Sequence, residues 1–439
     1  MKALAYRGDA LVISATAAML AGCGGLQPIG APGALHQSAG ISPAESAFTS
    51  RAVVHHNLPA ERMNLRPAYS VLYGFKGGSG DGDTPFAELI NVKGTLYGTT
   101  VYGGGSHCFK HLGCGTAYSV TTAGVEGTLN RFNPKKGADP SARLLDVNGT
   151  LYGTTLEGGS TGCIRHSGCG TVYEITASGE EMVLHSFADG AGDGVWPHSG
   201  LINVKGVLYG TTYSGGANGL GTVFAITTSG TETVLYSFAG GSRDGADPTA
   251  ALINVKGVLY GTTEAGGSAC RSSGGCGTVF AITTSGAERV LYSFKGYPGD
   301  GRQPQGSLTN VKGMLYGTTY YGGANSVPGG TVFAVSTSGK AKETVLHNFG
   351  SSGDGAEPAA GLINVNGMLY GTTLTGGANG YGTVFAIATS GAERVLHNFG
   401  SQNDGEYPYA PLLDVSGMLY GTTTAGGEYG RGTVFSLSP

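Results

Sequence analysis

Seven copies of one pentapeptide, Leu-Tyr-Gly-Thr-Thr, punctuate this chain of 439 residues. They stand at Leu96–Thr100, Leu151–Thr155, Leu208–Thr212, Leu259–Thr263, Leu315–Thr319, Leu369–Thr373 and Leu419–Thr423, with successive tyrosines 50 to 57 residues apart. A period of that size, built of short apolar runs and glycine turns, implies repeated small sheets that must stack on one another to bury their faces. Glycine contributes 82 residues, a level that without a collagen period can accompany disorder. Here 40% of residues are apolar, and Val, Ile, Leu, Phe and Tyr return at fixed places, so the glycines read as turns.

The unit from Pro248 to Phe294 shows the pattern. Ala250–Val255 predicts a first strand (A), Lys256-Gly257 a two-residue turn, and Val258–Thr263 a second strand (B). A glycine-rich loop leads to Thr278–Thr283 (C), and Ser285-Gly286 turns the chain into Arg289–Phe294 (D). Runs of β-branched and aromatic residues bounded by glycine are the strand signal. Asn148-Gly149 and Asn366-Gly367 suit the positive φ values of type I′ hairpins. Each unit is therefore expected to be a four-stranded antiparallel meander.

The ends of the repeat do not coincide with a unit boundary. Val71–Phe75 is a lone D strand, and Thr433–Leu437 is a C strand with no D after it. Strands A to C from the C-terminus and D from the N-terminus then complete a seventh sheet. The expected fold is all-β, a seven-bladed propeller over 69–439, closed by that shared blade so that no sheet edge is left exposed.

The first 22 residues read as an export signal: Lys2 and Arg7, then the apolar stretch Ala10–Leu20. Eleven residues are too few to span a bilayer permanently. Leu20-Ala21-Gly22-Cys23 resembles the lipobox of bacterial lipoproteins, which implies lipidation of Cys23, and Gly24 resembles those sent to the outer membrane. Residues 23–68, with Pro28, Pro32, Pro43 and Pro59 and no repeat, read as a lipidated cysteine and flexible tether. Net charge is −4; removing Lys2, Arg7 and Asp9 takes away a net +1 and leaves −5. Clustered Lys and Arg, which polyanion binding needs, are missing, so nucleic acid is not an expected partner. The expected partners are a membrane, through the lipid, and a protein or polysaccharide ligand.

Of seven cysteines, Cys23 is the odd one. Cys108/Cys114, Cys163/Cys169 and Cys270/Cys276 share one spacing and one place in the repeat, the B–C loop, and read as three local disulfides of an exported chain. A metal site with His107, His111 and His166 competes, but two sulfurs per blade do not make a four-ligand zinc site.

A Gly-Gly pair after the second strand of every unit resembles the kelch repeat, although the kelch tryptophan is missing from the fourth strand. The run Gly-Thr-Val-Phe, a Ser-Gly turn, Val-Leu-x-x-Phe, Asp-Gly-x-x-Pro and Leu-Tyr-Gly-Thr-Thr, over Val71 to Leu437, is similar to the bacterial GloVer-type repeat of choice-of-anchor proteins. That resemblance implies a repeat domain joined to a surface anchor, a lipobox among them. It implies no activity.

In a meander the A–B and C–D turns share one face, and the longer B–C and D–A loops share the other. Long loops on a rigid scaffold are where binding usually resides. The D–A loops repeat Asp-Gly-x-x-Pro, with Asp81, Asp193, Asp244, Asp300, Asp354 and Asp404; Lys136 stands at the seventh place. Such a ring can hold calcium, but an Asp before Gly in nearly every blade reads as turn architecture. His185, His347 and His397 take the D-strand place of Tyr73, Tyr236 and Tyr292 and read as aromatic substitutes. A single ligand breaks sevenfold likeness, so the candidates are the departures on the loop face: Lys135, Lys136, Trp196, His198, Tyr297, Tyr320, Tyr321, Tyr407 and Tyr409. Aromatic rings around a funnel suit the apolar faces of sugars.

No nucleophile elbow, zinc-protease helix motif or phosphate loop is present. Glu88, Glu157 and Glu264 are candidates for the paired carboxylates of a glycosidase. The reading is a lipid-anchored binding or scaffolding module with no catalytic residue, cofactor or metal assigned. A polysaccharide hydrolase or lyase and a structural envelope part are the alternatives.

Overall fold

A computed structural model describes residues 67–439, apart from loop positions 106–107, 109–111, 160–162, 164–166, 189, 191, 269, 271–273, 325–328, 339–341 and 402. The leader, Cys23, the tether up to 66, and His107, His111 and His166 lie outside the described residues. Seven antiparallel sheets of strand order A-B-C-D form the blades of an all-β propeller. No helix long and apolar enough to cross a membrane occurs among the described residues.

In blade 4 the strands are Ile253–Val255, Val258–Thr263, Thr278–Thr283 and Glu288–Ser293. Strand A is thus three residues long, half its expected length, because Ala250 and Ala251 diverge to line the ring axis. The A–B turns hold positive φ at both central positions in every blade, as at Lys256 (54°) and Gly257 (88°). The Oδ1 atom of Asn254 accepts a hydrogen bond from the N–H of Gly257 (2.8 Å), which fixes this turn with a lysine in the left-handed region.

The last blade is the shared one. Ala68–Gly74 pairs antiparallel with Thr433–Ser438, which continues into Met418–Thr423 and Leu413–Val415. Phe75, Leu89, Leu96 and Tyr118 of the N-terminal part pack with Tyr420 and Val434 in one buried cluster. The ring is closed. The core lies between blades: Tyr209, Val223 and Phe238 of blade 3 pack on Leu252, Leu259 and Phe280 of blade 4.

Three disulfides form as the spacing predicts, with Cα–Cα distances of 5.0, 5.6 and 5.3 Å for Cys108–Cys114, Cys163–Cys169 and Cys270–Cys276. The loop face contains structure that the repeat pattern does not reveal. The Asp-Gly segment of each D–A loop pairs with the end of strand B or the start of the B–C loop, as in Gly194↔Gly215 and Val195↔Ser214. These small ribbons tie both kinds of loop to one face.

Candidate functional site

The aspartate ring is architecture. Asp244 accepts hydrogen bonds from the Tyr236 hydroxyl (2.9 Å) and the N–H groups of Ala239 (2.7 Å) and Gly245 (2.7 Å). Asp81 and Asp300 repeat this set with Tyr73 and Tyr292, and His185, His347 and His397 take the tyrosine's place against Asp193, Asp354 and Asp404. At the seventh junction, Asn133 accepts from the N–H groups of Lys135 and Lys136 (both 3.2 Å).

The sevenfold likeness fails around the axis. The proline of each D–A loop delivers three residues to the mouth of a central channel before strand A begins. The first of the three differs in every blade: Phe86, Ser141, His198, Thr249, Gln305, Ala359 and Tyr409. The second is Ala, Ser or Gly throughout, since its carbonyl must meet the preceding blade. The mouth encloses about 100 Å³. Below it a second space of about 220 Å³ runs between A strands, and the Glu88–Arg143 pair (3.4 Å) lines both.

One side of the mouth is an ordered polar and aromatic arc. Phe86 and Tyr409 stack with centroids 3.9 Å apart at 29°. The Tyr409 hydroxyl donates to Gln305 Oε1 (3.2 Å), and Gln305 Nε2 donates to Glu264 Oε1 (3.2 Å). Tyr320, Tyr321, Tyr407 and Tyr409 share a cluster with Ala359 and Leu374. Tyr320 and Tyr321 meet edge to face at 4.5 Å, and the Arg302 guanidinium lies 5.0 Å from the Tyr321 ring centre.

An acidic pair adjoins this arc at Gln305. Burial, then the charge of Glu264, pushes the Asp247 carboxyl up to about 6; burial also raises Glu264, against the donated bond from Gln305. On another side, burial and Glu157 push Asp139 up to about 7. Asp139 and Asp247 occupy the left-handed position before proline, at φ 57°, which all seven loops adopt. Burial holds the His198 imidazole below its ordinary range.

Of the residues singled out by sequence, the structure brings Tyr320, Tyr321, Tyr407 and Tyr409 together and sets His198 on the same mouth. The others lie elsewhere. Trp196 packs, half-buried, on the core that contains Cys163 and Cys169. Tyr297 is 55% exposed, away from the mouth residues. Lys135 and Lys136 are exposed, and the Lys136 ammonium donates to the Glu181 carbonyl (2.9 Å). Glu88 is in the ion pair with Arg143, not a carboxylate pair. Phe86, Gln305, Asp139 and Asp247 were not singled out, although aligning the seven post-proline residues finds the first two.

Fold and site together define a closed seven-bladed propeller with an asymmetric axial funnel on its loop face. The chain belongs to the Gloeobacter/Verrucomicrobia repeat family, whose profile matches residues 62–273 and 269–439. No curated protein matches it. Among solved structures it is similar to PorZ, an essential surface component of the type-IX secretion system of Porphyromonas gingivalis. Identity there is 12% and the TM-score 0.50, over 82% of this chain and 47% of PorZ. It is also similar to a puromycin-hydrolyzing peptidase of Mycobacterium tuberculosis, at 9% identity and TM-score 0.45 over 76% of this chain and 48% of that one. The likeness to PorZ concerns the fold alone. Three disulfides in a bacterial repeat protein mark the chain as exported.

Proposed function

We propose that this protein is a lipid-anchored propeller of the bacterial envelope that binds polysaccharide at its axial funnel. One observation carries the reading: repeat identity is lost at the post-proline position, where Phe86, Gln305 and Tyr409 form a stacked and hydrogen-bonded arc. Aromatic faces with amide and hydroxyl groups beside them match a sugar, which offers apolar C–H faces and a rim of hydroxyls. Anchoring through Cys23 and display at the outer membrane rest on the lipobox-like segment and Gly24. An envelope protein is the competing ligand, and scaffolding without a ligand is the simplest rival role.

The test is retention of full-length protein carrying Cys23→Ser on a panel of immobilised microbial and plant polysaccharides. Phe86→Ala and Tyr409→Ala are each expected to weaken retention at least ~10-fold, the order of one aromatic contact. Retention unchanged by both variants, or none on any polymer, overturns the reading.

Hydrolysis is the second reading, favoured by the raised Asp247 carboxyl beside Glu264. A general acid needs a carboxyl held protonated near neutral pH. New reducing ends that vanish in Asp247→Asn while retention persists would establish it.

A further inference from the structure

We propose that two junctions between blades each bind a divalent transition-metal ion of the zinc class, one through His185, Asp193 and Glu232, the other through His347, Asp354 and Glu393. In each set the ring nitrogen and one oxygen of each carboxylate lie within 4.8 Å of one another. His185 Nε2 is 3.3 and 3.2 Å from the two Asp193 oxygens, and His347 Nε2 is 3.0 Å from Asp354 Oδ2. Zinc bonds of about 2.0–2.2 Å in tetrahedral array put neighbouring ligand atoms roughly 3.3–3.6 Å apart. The histidine and aspartate atoms already stand near that spacing, and the glutamate, within 4.8 Å, closes on the ion to complete three ligands, keeping a fourth position for water. On binding, the metal takes the Nε2 lone pair of a neutral imidazole whose proton sits on Nδ1, and any second proton leaves to solvent.

The surroundings resemble those of the other junctions, and an imidazole facing both carboxylates is what sets these two apart. Gly194 N–H (2.7 Å) and Ala188 N–H (2.9 Å) orient Asp193, and Gly355 N–H (2.7 Å) orients Asp354, in the way that outer contacts fix metal ligands. Glu232 Oε1 and Glu393 Oε1 are sealed from solvent with no hydrogen-bond partner, as are the Oε1 atoms of Glu181, Glu288 and Glu343 at other junctions. A buried polar atom in that state calls for one.

The other five junctions supply internal comparisons. At three of them a tyrosine hydroxyl donates to the aspartate: Tyr73 to Asp81, Tyr236 to Asp244 and Tyr292 to Asp300. A protonated phenol there is no ligand at neutral pH. His397 and Asp404 lack the glutamate, and Tyr69 stacks on His397 instead, with centroids 3.9 Å apart. Beside Glu181 the chain supplies its own cation, the Lys136 ammonium. Among the described residues two junctions hold histidine, aspartate and glutamate together, and they differ from the expectation of no metal that the sequence alone supports.

The test uses full-length protein carrying Cys23→Ser, stripped with chelator and titrated calorimetrically with zinc chloride. His185→Tyr and His347→Tyr are each expected to remove one zinc equivalent, and the double variant two. Tyrosine is the chosen replacement because the same fold carries it at three junctions. Glu232→Gln and Glu393→Gln are expected to weaken one site each at least ~10-fold, and His397→Tyr to leave the stoichiometry unchanged. Equal zinc uptake by the parent and the double variant overturns the proposal, as does loss of an equivalent in His397→Tyr.

Discussion

Each residue of Leu-Tyr-Gly-Thr-Thr has a separate physical task. The leucine is buried in every copy, and the tyrosine packs toward the next blade. The glycine lies under the ring of the C-strand aromatic: at Gly261 a Cβ would stand 2.7 Å from Phe280 Cζ and 2.9 Å from Leu252 Cδ2. Gly261→Ala is expected to cost about 1–3 kcal/mol, the usual range of overpacking, read as a lower urea midpoint. The first threonine clasps neighbouring blades. Its hydroxyl donates to a carbonyl of the next blade, as Thr318 to Ala360 (2.7 Å), and Thr422 to Ala87 (3.4 Å) carries the clasp across the closure. Thr318→Val keeps the shape but leaves that buried carbonyl without its donor, an expected loss of about 1–3 kcal/mol in the same titration. The second threonine bonds across to strand C, as Thr263 Oγ1 to Thr278 Oγ1 (2.8 Å).

At the scale of elements, the D strands carry an irregularity that apolar patterning does not show. Every D strand shifts register at its leucine, for example between the partners of Val279 and Phe280, where Leu291 is left over. The bulged carbonyl then meets the turn glycine of the next blade: a Cβ on Gly286 would lie 2.5 Å from Leu235 O. The cystines brace the opposite end of the blades. Replacing both cysteines of the Cys163–Cys169 pair by serine is expected to cost about 2 kcal/mol, since a short loop gains little entropy on opening. Calorimetric melting of the oxidised variant against its parent checks it. Deleting Ala68–Gly74 should do far more, because it bares the edge of Thr433–Ser438 and opens the ring. The expected result is aggregation or a melting temperature far below that of the closed chain.

For the whole molecule, the junction glutamates set a pH dependence. Burial, then the charge of the neighbouring aspartate, pushes Glu288 and Glu343 up to about 7 from an ordinary 4.5. A carboxyl raised on folding favours the folded state below its unfolded value, and that contribution is lost as pH climbs through the folded value. From these groups the melting temperature is expected to fall between about pH 4.5 and pH 7. Glu288→Gln with Glu343→Gln should flatten the slope, and an unchanged slope would refute the assignment. Both lie at tyrosine junctions, so zinc does not confound the measurement.

The period of the repeat, the split last blade, the local cysteine pairs and the facing of the loops were all legible in the amino-acid order. Each depends on short-range patterning: alternation makes a strand, an Asn-Gly pair makes a turn, and equal spacing makes equal blades. The functional candidates were legible only in part. Tyr320, Tyr321, Tyr407 and Tyr409 stood out as exceptions to the repeat, but Trp196 did so equally and packs on a core. Phe86 and Tyr409 are more than 300 residues apart in sequence and stack because the ring closes between blades 7 and 1. Glu232 meets His185 and Asp193 only because one blade lies against the next. Sequence by itself therefore determined the blade and the number of blades, through periodicities that act over a few residues. Tertiary structure alone decided which odd residues share a funnel or a junction, because closure of the ring sets those distances.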